Sequence, residues 1–380
     1  MSSILVLGAG LMGRAIAFDM CRQPQVKQVL VTDISDERLA EAKTIVNSSK
    51  ASFQRLALED CNGLKQALKG ITLTFGATSY QFNRMLTEAC IEAGSHFVDL
   101  GGNDAIVDSQ FELNAQANLK GVAIIPDSGL APGLAGILGM HVFRQFDVCE
   151  EVRLRVGGLP QHPVPPLNYM LVFSVHGLIN EYIEPVRIIE NGELKTVSGM
   201  SGLEEIQFPE PFGTMEAFYT SGGVSTLVKT LHGKIKNLDY KTIRYTGHQA
   251  KIQFLMEMGF FDEHRSRLGP TPREMTEELL HQKLTLKDHD LTLLRVWGTG
   301  SKDGRNSTLS YEFIDRHDEK NNLTAMMRTT AFPAAIIGNM LLDGTIKDRG
   351  VLNQEFVVPV PKLIDELRKR GVELQEKFDR

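Results

Sequence analysis

The sequence predicts an α/β protein: a doubly wound parallel sheet that carries an inserted α+β domain. Three observations predict it. The first 33 residues read as strand, glycine turn, helix, strand and acid. Strand and helix patterns then alternate at short spacing to about residue 133. From about Leu134 that rhythm gives way to strands joined by longer loops and turns.

The opening stretch sets the ligand class. Ile4 to Leu7 is an apolar run, followed at once by Gly8-Ala9-Gly10-Leu11-Met12-Gly13 and a helical stretch, Arg14 to Cys21. A second strand, Gln28 to Thr32, ends in Asp33, 20 residues past Gly13. In this pattern Gly8 allows the tight turn, Gly10 lets the backbone approach a pyrophosphate, and Gly13 lets helix and strand pack closely. The helix start, at Leu11 and Met12, offers free N–H groups and a partial positive charge to phosphates. Asp33 stands where a carboxylate takes ribose hydroxyls and repels a 2′-phosphate, which favours NAD over NADP. This is a Rossmann-type dinucleotide domain.

The remaining elements follow in order. Helices are expected over Glu37 to Val46, Gly63 to Leu68, Met85 to Glu92 and Asp108 to Asn118. Strands are expected over Ala51 to Leu58, Ile71 to Ala77, His96 to Leu100 and Val122 to Pro126. In such sheets ligands sit beyond the carboxyl ends of the strands, so Ala77, Thr78, Asp99, Gly101 and Asp127 should line one crevice. Ala135 to Phe146 then carries the chain out as a helix. Val152 to Val156 reads as a strand and Gly157 to Pro166 as a proline-rich segment. Glu190-Asn191-Gly192-Glu193 turns a hairpin, and Tyr240 to Ile243 is a strand that Arg244 closes. Val224 to Leu231 is expected to be a helix opened by Ser221-Gly222-Gly223. Leu291 to Trp297 and Thr308 to Ile314 pair as strands, with Leu323 to Arg328 as a further one. Phe332 to Leu342 and Leu363 to Lys369 read as helices folding back. The expected division is 1–133 for the dinucleotide, 134–330 for substrate and oligomer contacts, and 331–380 for the returning helices.

Bulk properties narrow the function. At 380 residues two domains are the natural expectation. With 42% apolar and 23% charged residues, net charge −6 and no basic run, the chain reads as globular with no nucleic-acid partner. No apolar run reaches the roughly 18 residues that cross a bilayer. The N-terminus enters the first strand directly, which argues against a signal peptide. The four cysteines are scattered, which fits reduced thiols in a cytoplasmic protein and no metal site. Apolar strands such as Leu291 to Leu294 suggest pairing with a second copy, as a homodimer or larger.

Seven segments together resemble the saccharopine dehydrogenase family, through most of the chain. They are Gly8 to Gly13, Tyr80-Gln81-Phe82-Asn83, Val98-Asp99-Leu100-Gly101-Gly102, Pro126 to Gly133, Val156 to Pro160, Thr220-Ser221-Gly222-Gly223 and Arg244-Tyr245-Thr246-Gly247-His248. The resemblance implies an NAD-dependent oxidoreductase on a small amino-acid substrate. It leans to the branch that oxidises the ε-amine of L-lysine, whose product aldehyde cyclises. Saccharopine reductases carry Asn-Arg-Asp-Ser where this chain has Thr220-Ser221-Gly222-Gly223. Saccharopine bears a glutamate arm with two extra carboxylates, and a buried unpaired carboxylate is costly. The missing Arg therefore favours a plain amine.

That reaction sets the residue requirements. Hydride leaves only from a neutral amine, and lysine's ammonium has a pKa of about 10.4, so the site needs a base. Asp127 and Asp99 are candidates; each is equally a carboxylate that caps its following turn. Tyr80 is placed to hold the amine or a water, or simply to pack. Arg244, with Tyr245 beside it, is the candidate grip on the α-carboxylate, with Ser221 and Gly222 adding backbone N–H donors. Saccharopine oxidation and a non-catalytic NAD-binding role are the competing readings.

Overall fold

The structure, a computed structural model, describes residues 1–264 and 269–379. Its first half alternates as expected: β1 (Ser2–Leu7), α1 (Leu11–Cys21), β2 (Val26–Asp33), α2 (Asp36–Val46), β3 (Ala51–Arg55), α3 (Cys61–Ala67), β4 (Leu73–Gly76), α4 (Asn83–Ala93), β5 (His96–Asp99), α5 (Asp104–Phe111), α6 (Asn114–Lys120), β6 (Ala123–Ile125) and α7 (Leu134–Arg144). The single helix expected over Asp108 to Asn118 is two. Asn103 starts α5 early, its Oδ1 accepting from the N–H groups of Ala105 and Ile106 at 3.0 and 3.2 Å.

The second half runs β7 (Val148–Pro160), α8 (Val175–Ile183), β8 (Val186–Glu190), β9 (Glu193–Val197), β10 (Glu204–Phe208), β11 (Gly213–Tyr219), α9 (Leu227–Leu231), β12 (Asn237–Tyr245), α10 (His248–Glu257), α11 (Pro272–Leu284), β13 (Asp290–Lys302), β14 (Arg305–Arg316), α12 (Ala325–Leu342), β15 (Gly350–Val351), α13 (Gln354–Val357), α14 (Val360–Lys369) and β16 (Gln375–Asp379).

One sheet is parallel and seven-stranded, in the order β15-β6-β5-β4-β1-β2-β3. The order reverses between β1 and β4, so the ligand crevice opens at their carboxyl ends. The second sheet is mixed and nine-stranded, running β10-β11-β12-β7-β13-β14-β16 with β8 beside β12 and β9 beside β8. A continuous core joins them: Ile16 and Ala17 of α1, Leu134 and Leu138 of α7, Val152 and Leu154 of β7, and Ile336 and Ile337 of α12 share one apolar cluster.

Four expectations fail here for local reasons. Leu323 to Arg328 is not a strand but the entry to α12. Thr324 Oγ1 accepts from Met327 N at 3.0 Å, and both Asp290 oxygens accept from the N–H groups of Ala325 and Met326 at 2.7 and 2.8 Å. Capping of that kind overrides a short apolar run. Gly157 to Pro160 continues β7, because a side chain at Gly157 or Gly158 would strike Ile243 O at 2.8 Å or Met326 Cε at 2.4 Å. Leu291 to Leu294 offers no edge to a second copy, since β13 lies between β7 and β14. Finally, β15 joins the parallel sheet and Arg370 pairs with Asp19 at 2.7 Å, yet the end of the chain does not stay there: β16 pairs with β14 in the other sheet. None of the described helices is long and apolar enough to cross a membrane.

Candidate functional site

The glycine turn is built as its spacing requires. Gly8 has φ +100°, and a side chain there would meet Ala77 O at 2.4 Å. One at Gly13 would meet Gly8 O at 1.8 Å. One at Gly10 would meet no protein atom within 4 Å, although Gly10 caps the start of α1, where Leu11 and Met12 follow. Gly8 and Gly13 are therefore demanded by packing, whereas nothing within the protein demands glycine at position 10. Asp33 is tied to this turn, Oδ2 accepting from Ala9 N at 2.8 Å and Oδ1 from Ser35 N at 2.9 Å. Thr78, beside Gly8, has a buried hydroxyl with no protein partner. A cleared helix start, an acid at the tip of β2 and an unpartnered hydroxyl across the turn fit a dinucleotide. Gly10→Ala should leave the melting temperature unchanged and weaken cofactor binding about 10-fold or more, by crowding the pyrophosphate approach. Gly13→Ala should instead lose about 2 kcal/mol or more in stability through backbone overlap. Thermal melts with and without cofactor separate the two effects.

Beyond β5 and β6 two aspartates meet. Asp99 is fully buried; Oδ1 accepts from the N–H groups of Gly101 and Asp127 at 2.8 and 3.2 Å, and Oδ2 from Gln110 Nε2 at 2.7 Å. Burial pushes its carboxyl up to about 6, while Gln110 and the two backbone donors hold it down. With both oxygens engaged in shaping the turn, Asp99 is a structural carboxylate rather than a free base. Asp127 differs. It sits at φ +58°, its Oδ2 takes the hydroxyl of Ser225 (itself at φ +50°), and its buried Oδ1 has no protein partner. Burial, and then the charge of Asp99, raise its carboxyl well above the ordinary range. Gly101 must be glycine because a side chain there would lie 1.5 Å from Asp127 Oδ1. Two non-glycine residues in left-handed backbone, hydrogen-bonded to each other across two domains, is the kind of strain that collects at working sites.

The inserted half meets this crevice through α8 and the 220–225 loop. Tyr80, half-buried after β4, accepts at its hydroxyl from Asn180 Nδ2 at 3.1 Å and lies against Gly102. A side chain at Gly222 (φ +79°) would sit 3.5 Å from Gly102 O. Ser221 does not offer its N–H outward: it donates to Glu181 O at 2.9 Å, and its hydroxyl to Glu184 at 3.0 Å. Nor does this loop open a helix, since α9 begins only at Leu227. The expected backbone donors at Ser221 and Gly222 are thus not a helix terminus.

Arg244 is buried near the end of β12, against Tyr182 of α8. Its Nη1 donates to Thr242 Oγ1 at 2.7 Å and Ile243 O at 3.0 Å, its Nε to Tyr182 Oη at 3.3 Å, and its plane stacks 4.7 Å from the centre of Tyr169. Five cations are buried among the described residues: Arg155, Lys241, Arg244, Arg273 and Arg328. The other four each have a carboxylate within 4 Å; Arg244 has none. A buried unpaired charge is very costly, and among the described residues only the hydrogen bonds to Thr242, Ile243 and Tyr182 and the ring of Tyr169 offset this one. Tyr245, next along β12, turns the other way and donates its hydroxyl to Pro160 O at 2.9 Å. It does not join Arg244.

Behind Arg244 the proton positions follow from the partners. Leu167 O accepts, so the Nδ1 of His248, 3.0 Å away, carries the proton. Burial, and then the charge of Arg244, push the His248 imidazole down to about 3, so Nε2 is bare and accepts from Tyr182 Oη at 3.0 Å. Tyr182 in turn accepts from Arg244. The chain of bonds fixes the guanidinium plane. A folded pKa below the unfolded value gives stability that is present above about pH 6.5 and is lost as pH falls toward 3. The unfolding free energy of wild type, from urea melts, should therefore fall more steeply below pH 6.5 than that of His248→Gln, by up to about 1.4 kcal/mol per pH unit. Parallel slopes would remove His248 from that role.

Residues 4–125 match the saccharopine dehydrogenase NADP binding domain and residues 129–372 the saccharopine dehydrogenase C-terminal domain. The chain belongs to the saccharopine dehydrogenase family. Saccharopine dehydrogenase [NADP(+), L-glutamate-forming] of Schizosaccharomyces pombe is 21% identical across 100% of this chain and 99% of its own length. Carboxyaminopropylagmatine dehydrogenase of a Synechocystis strain is 21% identical over 96% of this chain and 94% of its own. The apo saccharopine dehydrogenase (L-Glu forming) structure from Saccharomyces cerevisiae shares the fold over both whole chains at TM-score 0.82 and 18% identity. Homospermidine synthase from Legionella pneumophila in complex with NAD does so at TM-score 0.71 and 13% identity, over 100% of this chain and 91% of its own. As a saccharopine dehydrogenase family member the protein is an oxidoreductase with an NAD(P)-binding Rossmann domain.

Proposed function

We propose that the protein is an NAD-dependent dehydrogenase that deaminates the ε-amino group of L-lysine. The observation that carries this reading is Arg244, the buried cation left without a carboxylate. One free guanidinium answers one carboxylate, and L-lysine brings one, with an amine at its far end. Saccharopine brings three. Another buried cation, Arg273, is already paired with Glu263 and Glu277 at 2.8 and 2.9 Å, and the 220–223 loop holds no Arg. When bound, the dinucleotide supplies the two-electron acceptor. Arg244 holds the α-carboxylate, and Tyr80 with Gly102 walls the channel toward the cofactor turn. Asp127 accepts the ε-ammonium proton at Oδ1, and Ser225 aims the carboxylate. Asp127 must release that proton to solvent before it acts again; it then takes a proton from the water that attacks the iminium carbon and returns it to the nitrogen that leaves as ammonia. NAD over NADP rests on Asp33 at the end of β2. Against it stands Arg55, which lies opposite Asp33 in register, is largely exposed and would serve a 2′-phosphate.

The second reading, saccharopine oxidation with NADP, is favoured by the relatives that match over their whole length. Turnover decides between them. The purified protein should reduce NAD with L-lysine at alkaline pH, release ammonia, and leave saccharopine unoxidised. Turnover of saccharopine alone moves the assignment to the second reading. Cofactor-dependent heat protection without turnover of either substrate makes the protein a binder.

A further inference from the structure

Ser225 stands in left-handed backbone and gives its hydroxyl to Asp127. A non-glycine residue keeps that conformation only where its neighbours over-determine it. On the C-terminal side the neighbour is Thr226, and its hydroxyl does not cap α9, which starts at the next residue. It donates instead to Glu355 on α13, 2.8 Å from Oε1 and 3.0 Å from Oε2. Thr230, one turn further along α9, also donates to Glu355 Oε1, at 2.9 Å, where a helical threonine commonly bonds the carbonyl four residues back. Asn353 Nδ2 adds a donor at 3.3 Å. Glu355 is buried, and these three neutral groups are the hydrogen-bond partners of its carboxyl among the described residues. One carboxyl thus clamps the first turn of α9 to the element that follows β15 of the parallel sheet, across 125 and 129 positions of sequence.

We propose that Glu355 is a positioning residue for Asp127: its grip on Thr226 and Thr230 holds Ser225 in the turn from which the serine hydroxyl reaches the Asp127 carboxylate. This rests on the reading of Asp127 as the base and adds the element that aims its partner. Apolar packing alone does not supply that aim. Leu227, Val228 and Leu231 bury α9 in the common core, and such contacts are non-directional, whereas hydrogen bonds fix an orientation. Before Ser225 the loop is wedged as well, because a side chain at Gly223 would lie 2.3 Å from the Tyr240 ring. That leaves the Thr226 end to be held, and Glu355 holds it. A loosened Ser225 changes the base in one direction. Burial and then the charge of Asp99 raise the Asp127 carboxyl, the Ser225 hydroxyl holds it down, and Asp104 is the other charge that bears on it. Loss of the serine contact should therefore raise the Asp127 carboxyl further. Loss of a nearby acid acting only through its charge would lower it.

Titration of the Asp127 carboxyl in the full-length, substrate-free protein tests this without turnover. The readout is its NMR resonance in protein isotope-labelled at the aspartate carboxyls, assigned by its loss in Asp127→Asn. Ser225→Ala should raise the midpoint by about one pH unit, the equivalent of one hydrogen bond to a charged group. Glu355→Gln and, separately, Thr226→Val should each raise it by about half a pH unit or more, and neither should move it further in the Ser225→Ala background. With whichever substrate the protein oxidises, the acid limb of the kcat profile should move by the same amount. A merely structural Glu355 would lower the melting temperature and leave the midpoint in place. An unchanged midpoint in Glu355→Gln or Thr226→Val, a downward move, or an equal further rise in the Ser225→Ala background overturns the positioning role. If Glu355→Gln does not fold, Thr226→Val decides alone. If the midpoint moves as expected while L-lysine is not oxidised, the lysine reading fails and the positioning role stands.

Discussion

Replacing Arg244 by Met should remove the substrate and spare the fold. The variant is expected to lose about 10²- to 10³-fold in kcat/KM for L-lysine, the range that follows from losing one buried charge partner at roughly 2–5 kcal/mol. Cofactor affinity should not change, since nothing at the glycine turn touches Arg244. Stability is the discriminating readout. A guanidinium buried without a carboxylate is a standing cost in the free protein, so its removal offsets the hydrogen bonds lost at Thr242, Tyr182 and Ile243. The melting temperature should move by only a few degrees. Arg328 is the contrast: it pairs with Asp315 at 2.8 and 3.0 Å, both largely buried, and Arg328→Met should cost about 3–5 kcal/mol by stranding that carboxylate. Should Arg244→Met unfold the protein as readily as Arg328→Met, Arg244 would be one more structural cation.

Asp127→Asn should cut kcat by about 10²- to 10⁴-fold, the usual worth of a positioned general base, and leave cofactor binding intact. Asn keeps the shape and can still meet the Ser225 hydroxyl, but cannot accept a proton. Wild-type activity should fall as pH drops through the raised pKa of Asp127, because a base works only when ionised. Asp99→Asn is expected to behave otherwise. Its oxygens organise Gly101, Asp127 and Gln110, so the change should register mainly in stability. Steady-state kinetics beside thermal melts on both variants checks the split; equal kinetic losses in the two would make the pair, not Asp127, the working unit.

Much of this was legible in the residues, and the failures have physical causes. The turn from Gly8 to Gly13 and the acid at Asp33 were readable because spacing alone sets their geometry. The crevice residues followed from the rule that ligands sit at strand ends. Asp99 and Asp127 could not be told apart in sequence, since their difference lies in who donates to each oxygen. Ser225 was missed because its link to Asp127 crosses 98 positions in sequence. Helix α8 escapes the sequence reading although Val175, Leu178, Ile179 and Tyr182 recur at helical spacing and are buried, and with it goes Asn180, the partner of Tyr80. Adjacency in sequence pairs Tyr245 with Arg244, whereas strand alternation puts neighbours on opposite faces. Thr324 and Asp290 show the converse: a local cap and a carboxylate from the start of β13 turn a strand-like run into a helix.

A crystal structure of the protein with NAD and L-lysine bears most directly on the central claim. The account predicts the α-carboxylate on Arg244 through two hydrogen bonds, and the ε-carbon against the nicotinamide with Asp127 beside the amine. A lysine whose carboxylate lies elsewhere, with Arg244 still stacked on Tyr169 and touching no ligand atom, would contradict it.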